Sequence, residues 1–272
     1  MSLISPLGFI GAGKVAQYIA KALLSAGTVK ANQVIASSRT QDDLNQFRDM
    51  SCVVTDDNQL VLKECNYVFL ATPTSALSNV FKDISPVVTS NHLLMSIAAG
   101  VTLNYMQNSL PGQTKVVRMM LNSAVQICEG VTTVSYGMFT CDEDRKVVYQ
   151  LMSKVGYCHT VDERLMDLIT ALTGGGPAYV YLVLDALADG AVRGGLTREE
   201  AVRLVAHTAS GAAQLALKSQ KHLGELKDSV CTAGGSTIEG INALEERGVR
   251  AALMRAVDAA TVRAKELRTD VK

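Results

Sequence analysis

Two short stretches carry residues whose types and spacing suit chemistry. In "GFIGAGKVA", Gly11, Gly13 and Ala16 form G-x-G-x-x-A between an apolar run and a helical pattern. The first glycine permits a tight turn, the second lets backbone approach a pyrophosphate, and the small third residue lets helix and strand pack closely. A helix N-terminus placed there stabilises phosphates. The second stretch, "SVCTAGGSTIEGINALEERG" at 229–248, sets Thr232, Ser236 and Thr237 around Gly234 and Gly235. Ser236 followed by Glu239 matches the S-x-x-E capping box, with Ile238, Ile241 and Leu244 toward the core, so Ser236 is expected to cap the helix. Thr232, the glycine pair and Thr237 exceed what a cap needs. Free amides beside a hydroxyl suit the carboxylate of a small, amino-acid-like substrate.

The first stretch gains weight from the strand ends further along the chain. A site for NAD usually carries Asp or Glu at the end of the second strand. This chain has "VIASSRT", where Ser37, Ser38 and Arg39 offer hydroxyls and a cation, and the first acids are Asp42 and Asp43. That favours a 2′-phosphate, so NADPH is the expected cofactor and NADH the alternative. "ATP" (Ala71, Thr72, Pro73) and "AAG" (Ala98, Ala99, Gly100) end later strands, and belong near the nicotinamide half.

Other chemistries find little support. There is no H-E-x-x-H, no G-x-S-x-G and no Cys/His motif. His92 in an apolar strand and His207 in an apolar helix read as packed, and His222 lies near a loop. The six cysteines include no C-x-x-C pair, so they read as reduced core residues, and no metal site is expected. Lys+Arg and Asp+Glu both number 26, which argues against a nucleic-acid or anionic-membrane partner. No apolar run approaches the ~20 residues of a membrane span. The early "PLGFIGAG" leaves no room for a signal or transit segment, so a cytoplasmic location is expected.

These stretches need elements to hold them. The 272 residues, 48% apolar and 19% charged, suffice for two globular domains. Strand-like β-branched runs fall at 7–10, 34–37, 52–55, 67–71, 92–98 and 115–120, with a weaker pair at 131–136 and 157–161. Helical patterns separate most of the early ones, the first ending at Gly27. Strands apolar on both faces and joined by helices predict a parallel sheet covered on both sides. From about 163 the pattern turns helical throughout, with Thr197, Glu199 and Glu200 marking a helix start. The expected fold class is α/β: a Rossmann-type dinucleotide-binding domain over 1–162, then an all-α substrate and dimerisation domain over 163–272. The later helices are apolar around much of their circumference, which a small bundle cannot bury alone, so an intertwined dimer is expected.

The segments "GFIGAGKVA", "AAGV", "VVRMMLNSAVQICEG", "GGGPAYVYLVLDALADGAVRGGL" and "LKDSVCTAGGSTIEGINALE" resemble the pyrroline-5-carboxylate reductase family, in order and over essentially the whole chain. The resemblance implies reduction of 1-pyrroline-5-carboxylate to L-proline by NAD(P)H, the last step of proline biosynthesis. It implies a homodimer joined through the C-terminal helices, often in larger assemblies of dimers. By position it implies that Gly11, Ala12, Gly13, Lys14 and Val15 meet the pyrophosphate, and that Ser37, Ser38 and Asn58 lie at the adenosine ribose. Ala71–Pro73 and Ala98–Gly100 would approach the nicotinamide. Thr237 matches a threonine that hydrogen-bonds the imine nitrogen, and Val230, Thr232, Gly235 and Ser236 match the loop around the substrate carboxylate. Thr72 stands where the family often has Lys, Ala124 and Ala233 replace frequent prolines, and Gly175 replaces a serine. The rivals are a reductase of a related cyclic imine, a non-catalytic dinucleotide-binding dimer, and a β-hydroxyacid dehydrogenase. The last typically needs a helix lysine, and none occurs from Val155 to Val192.

Overall fold

The computed structural model describes residues 5–268, so residues 1–4 and 269–272 of the two expected domains lie outside the described residues. The strands are β1 (Leu7–Ile10), β2 (Val34–Ser37), β3 (Val53–Thr55), β4 (Tyr67–Leu70), β5 (Leu93–Ser96), β6 (Lys115–Leu121), β7 (Gly130–Tyr136) and β8 (Gly156–Thr160). Between them run α1 (Lys14–Ser25), α2 (Gln41–Asp49), α3 (Asn58–Glu64), α4 (Leu77–Ile84), α5 (Leu103–Ser109) and α6 (Asp142–Met152). After β8 come α7 (Met166–Ile169), a π-helical turn Thr170–Gly174, α8 (Gly176–Arg193), α9 (Arg198–Ser219), α10 (Leu223–Ser229), α11 (Ser236–Glu246) and α12 (Val249–Glu266).

The eight strands form one sheet in the order β3-β2-β1-β4-β5-β6-β7-β8. Strand residues alternate between two cores because successive side chains point to opposite faces. Leu7 and Phe9 join Ile19, Leu23, Phe47 and Leu151 from α1, α2 and α6. Ile10, Val68 and Leu70 join Val61, Phe81 and Met106 from α3, α4 and α5. Phe9 stacks on Phe69 with ring centroids 5.0 Å apart, which centres the first core on the strand that leads into the glycine turn.

The sheet departs from the all-parallel expectation at one place, where β6 pairs antiparallel with β7, Met119 opposite Val134. The reason is length. Only residues 122–129 connect the two strands, and a parallel crossover needs a dozen residues or more. β8 regains a parallel partner in β7 because α6 supplies that crossover.

The chain packs as two compact units, one running through Gly175 and resuming at Ala260, the other Gly176–Ala259. Charge pairing keeps the first helical residues with the sheet: Arg118 of β6 meets Asp167 of α7 at 3.2 Å. The final turn also belongs there, through Arg268 on the other oxygen of Asp167 at 2.6 Å. In the second unit, Thr197 caps α9 with a full capping box, its hydroxyl accepting from the Glu200 amide. Arg198 reaches back from α9 to Asp189 of α8 at 2.5 Å. Between 176 and 259 only Ala188 and Ala201 are buried. Leu182 is 70% exposed and Leu217 77%, so this unit alone leaves its apolar side chains in water. Among the described residues no helix is long and apolar enough to cross a membrane, and no group of side chains could hold a metal ion.

Candidate active site

The G-x-G-x-x-A turn opens a cleft of about 530 Å³ at the carboxyl ends of β1, β2, β4 and β5. That size is within the range of small-molecule sites. Gly11 has φ +97°, and a Cβ there would lie 2.6 Å from the Ala71 carbonyl carbon, so glycine is required both for the turn and for the close approach of β4. The turn is tied down by Gly11 N–H to Ser37 O (2.9 Å) and Ala71 N–H to Ile10 O (2.8 Å). Gly13 is the N-cap of α1 and makes no side-chain cap, and nothing stands within 4 Å of a Cβ built on it. The first-turn amides of α1 therefore meet open space at the positive end of the helix dipole.

Of the residues expected at the cofactor, Gly11, Ala12, Gly13, Lys14, Val15, Ser37, Ser38, Arg39, Asn58, Ala71, Thr72, Pro73, Ala98 and Ala99 all line this cleft. Gly100 does not; its left-handed backbone (φ +75°) abuts Leu267, whose carbonyl oxygen would lie 2.6 Å from a Cβ. Ser37 is fully buried, and its hydroxyl donates to Asn58 Oδ1 at 2.6 Å. Asn58 Nδ2 donates to Asp83 Oδ2 at 2.9 Å, which fixes the amide's orientation because a carboxylate only accepts. So Ser37 acts on the cleft through Asn58. Arg39 is exposed at the edge and, among the described residues, makes no hydrogen bond or ion pair. The Thr72 hydroxyl is buried with no hydrogen-bond partner among the described residues, an orphan in the cleft wall.

Thr40, Asp43, Thr74, Ala76, Val80 and Ile97 also line the cleft, and the sequence reading missed them. For Thr40, Thr74 and Ile97 the signal was position just past a strand's carboxyl end, where such ligands bind, whereas Asp43, Ala76 and Val80 come from the helical segments that follow. Thr74 has a visible task, its hydroxyl donating to Ala99 O at 2.8 Å.

The second stretch lies in the other unit. Val230 closes α10, and turns continue through Cys231 N–H to Asp228 O (3.0 Å) and Gly235 N–H to Thr232 O (3.0 Å). A Cβ on Gly235 would collide with the Thr232 hydroxyl, which explains the small residue there. The expected capping box does not form. Gly235 is the N-cap and Ser236 the first helical residue, because the Glu239 amide is committed to Gly235 O rather than to the Ser236 hydroxyl. Thr232, Ser236 and Thr237 are exposed, and no hydrogen bond engages the Ser236 or Thr237 hydroxyl among the described residues. The helix thus begins with uncapped amides beside two free hydroxyls.

The histidines and cysteines are placed outside this chemistry. Thr89 N–H donates to His92 Nδ1 (2.9 Å), so Nε2 carries the proton and donates to Leu62 O (2.8 Å): a satisfied core histidine. His222 caps α10. His207 is exposed on α9, contrary to the expectation that it packs, because α9 presents that face to solvent in the single chain. Cys128 and Cys141 are exposed and Cys231 half-buried, against the expectation of core thiols; Cys52 and Cys65 are buried. Burial pushes the thiols of Cys52 and Cys158 up to about 11 and that of Cys65 up to about 12, so these three stay protonated and unreactive.

Residues 163–267 match the family described as pyrroline-5-carboxylate reductase dimerisation, and residues 6–100 the family described as NADP oxidoreductase, coenzyme F420-dependent. Pyrroline-5-carboxylate reductase 3 of Rattus norvegicus is 41% identical over 261 residues, which is 96% of this chain and 95% of the rat protein. Pyrroline-5-carboxylate reductase 2 of Bos taurus is 40% identical over 97% of this chain and 84% of its own length. Among solved structures, the Coxiella burnetii pyrroline-5-carboxylate reductase superposes with a TM-score of 0.92 at 30% identity, covering 98% of this chain and all of that one. The Plasmodium falciparum pyrroline carboxylate reductase, solved with NADP bound, gives 0.90 at 27% identity over 99% of this chain and all of its own.

Proposed function

The chain belongs to the pyrroline-5-carboxylate reductase family, and from that premise we propose that it reduces the C=N bond of 1-pyrroline-5-carboxylate to yield L-proline. The observation that carries this reading is the cleft over the glycine turn, where the uncapped N-terminus of α1 faces the strand ends. In the other unit, α11 separately begins with uncapped amides beside the free hydroxyls of Ser236 and Thr237. A nicotinamide dinucleotide fits the cleft, where Gly13 leaves open space over the α1 amides and the buried Thr72 hydroxyl awaits a partner.

When bound, the reduced nicotinamide supplies a hydride to the imine carbon. The chain's own residues bind and orient. The amides after Gly11 hold the pyrophosphate, Asn58, set by Ser37 and Asp83, holds the adenosine ribose, and Ala98 and Ala99 form the wall at the nicotinamide end. Amides around Gly235 and Ser236, with Thr232 and Val230 shaping the loop, hold the substrate carboxylate. The Thr237 hydroxyl hydrogen-bonds the imine nitrogen and keeps its proton in place as the carbon is reduced. An imine, electrophilic once protonated, needs no stronger acid, in keeping with a site built without histidine.

NADPH is the preferred donor in this reading. Arg39 at the cleft edge and the hydroxyls of Ser38 and Thr40 support it, with Asp43 opposing. The functional division falls at 162/163, just after the last strand. The C-terminal helices join two protomers, supported by the apolar side chains that the second unit leaves exposed, and dimers assemble further. A reducing compartment, the cytoplasm, suits six free thiols. Loss of NADPH absorbance on adding 1-pyrroline-5-carboxylate, with proline as product, is the expected result. No turnover with either NADPH or NADH would overturn the reading.

A further inference from the structure

Four charged side chains converge where the loop after β5 enters α5. Glu163 Oε1 accepts from the Leu103 amide at 2.7 Å and from Arg118 Nη1 at 3.2 Å. Arg118 Nη2 donates to Asp167 Oδ1 at 3.2 Å, and Arg268 pairs with Asp167 Oδ2 at 2.6 Å. Arg118 is 3% exposed and Asp167 1%. Such a cluster is a poor source of stability, since apolar residues of similar volume would serve as well, and its presence calls for another reason.

The reason lies in what Glu163 touches. Leu103 is the first residue of α5, and its amide is an orphan that the N-cap Thr102, whose hydroxyl accepts from Tyr105 N–H, leaves unserved. The path from Ser96 to Leu103 is held at its entry, middle and exit, with Leu267 also seated against Gly100. Ile97 N–H donates to Leu70 O at its entry, Thr74 donates to Ala99 O in its middle, and Glu163 takes the Leu103 amide at its exit. Ala98 and Ala99, between those points, line the cleft.

We propose that Glu163, itself held by Arg118, is a positioning residue for the Ala98–Ala99 wall of the cleft. It touches neither ligand, and it sets where the nicotinamide end rests while leaving the adenosine end alone. The inference rests on the reading that the β4–β5 end of the cleft takes the nicotinamide. A misplacement near 1 Å at a reacting centre costs up to about a hundredfold in rate, so a loosened wall shows in turnover first.

The test compares Glu163→Ala with Glu163→Gln, whose amide oxygen still accepts from Leu103. The probes are 2′,5′-ADP, which reports the adenosine end, and NADPH, which reports both. In Glu163→Ala the Kd for 2′,5′-ADP stays within about twofold of the parent, the NADPH Kd rises several-fold, and kcat falls about tenfold. Glu163→Gln recovers most of both losses. Equal weakening of both probes, or no change in the ratio of their Kd values, overturns the inference. So does a Gln variant as impaired as the Ala variant. Glu163 lies outside both hydrophobic cores, its side chain is partly exposed and Arg118 keeps Asp167, so both variants fold, with Glu163→Ala lowering Tm modestly while thermal unfolding stays cooperative. If the parent fails to turn over pyrroline-5-carboxylate, the proposed reaction falls, while the ratio of the two Kd values still decides the role of Glu163.

Discussion

Replacing Arg39 with alanine separates the two nicotinamide donors, and the expected size of the effect comes from where Arg39 sits. Its side chain is exposed at the cleft edge and unpaired among the described residues, so it is free to meet a phosphate without breaking another contact. Two unit charges at a contact distance near 4 Å interact by about 1 kcal/mol in water and about 4 at the effective dielectric of a protein surface. An exposed arginine belongs toward the lower end. A 2′-phosphate carries nearly two charges, while Asp43, half-buried on the same cleft, repels it. The balance is about 2 kcal/mol, or about thirtyfold in kcat/KM for NADPH. NADH lacks the phosphate, so its kcat/KM changes by less than about twofold, within the scatter of surface substitutions. Initial rates with each donor, at two salt concentrations, make the assay. The NADPH preference of the parent weakens with salt, and that dependence is lost in the variant, because exposed charges are screened within about 8 Å at physiological ionic strength. Equal losses for NADPH and NADH, or an unchanged salt dependence, would refute the reasoning.

Thr237→Ala is expected to lower kcat/KM for the imine by about 10–100-fold, the worth of one hydrogen bond to a charged group, with NADPH affinity unchanged and recovery in Thr237→Ser. Steady-state kinetics beside direct binding titration checks it. Leu182→Asp places a carboxylate on the exposed apolar face of α8 and is expected to weaken self-association at least about a hundredfold, read by sedimentation velocity. A dimer of unchanged affinity would remove that face from the interface. For Asp144, burial works to raise the carboxyl pKa, but hydrogen bonds from the Cys141 amide and thiol and from Lys115 outweigh it and hold the group below its ordinary value. A carboxyl depressed on folding stabilises the protein above its unfolded pKa and loses that contribution as pH falls through the folded one. Asp144→Asn is therefore expected to flatten the fall of Tm between about pH 5 and pH 3.

What could be read from sequence is what local pattern encodes. β1, β2 and the glycine turn declare themselves through short apolar runs and a fixed spacing, and the cleft's lining is legible because ligands gather at strand ends. Strand direction is different. β6 and β7 look alike as apolar runs in either orientation, and only the eight residues between them reveal the reversal. The capping box at Ser236 failed because the Gly235 carbonyl takes the Glu239 amide, which moves the helix start by one residue. The Arg118 cluster was invisible for a further reason. Its partners lie 45 and 49 residues away and at the far end of the chain, and no local spacing announces such a meeting.

That last contact makes the completion of the nucleotide-binding unit wait on residues about a hundred positions further along the chain. All of its strands exist once Thr160 has been made, and Arg118 is there to meet Asp167 as soon as α7 forms. Leu267 and Arg268, which seat against Gly100 and Asp167, emerge about a hundred residues later, roughly 5–20 s at ordinary elongation rates. During that interval the nascent sheet carries Asp167 with a single arginine and the Gly100 turn without its backstop. A ribosome-bound chain stopped between Thr160 and Leu267 thus has the sequence of all eight strands but neither the Leu267 backstop of Gly100 nor the second arginine on Asp167.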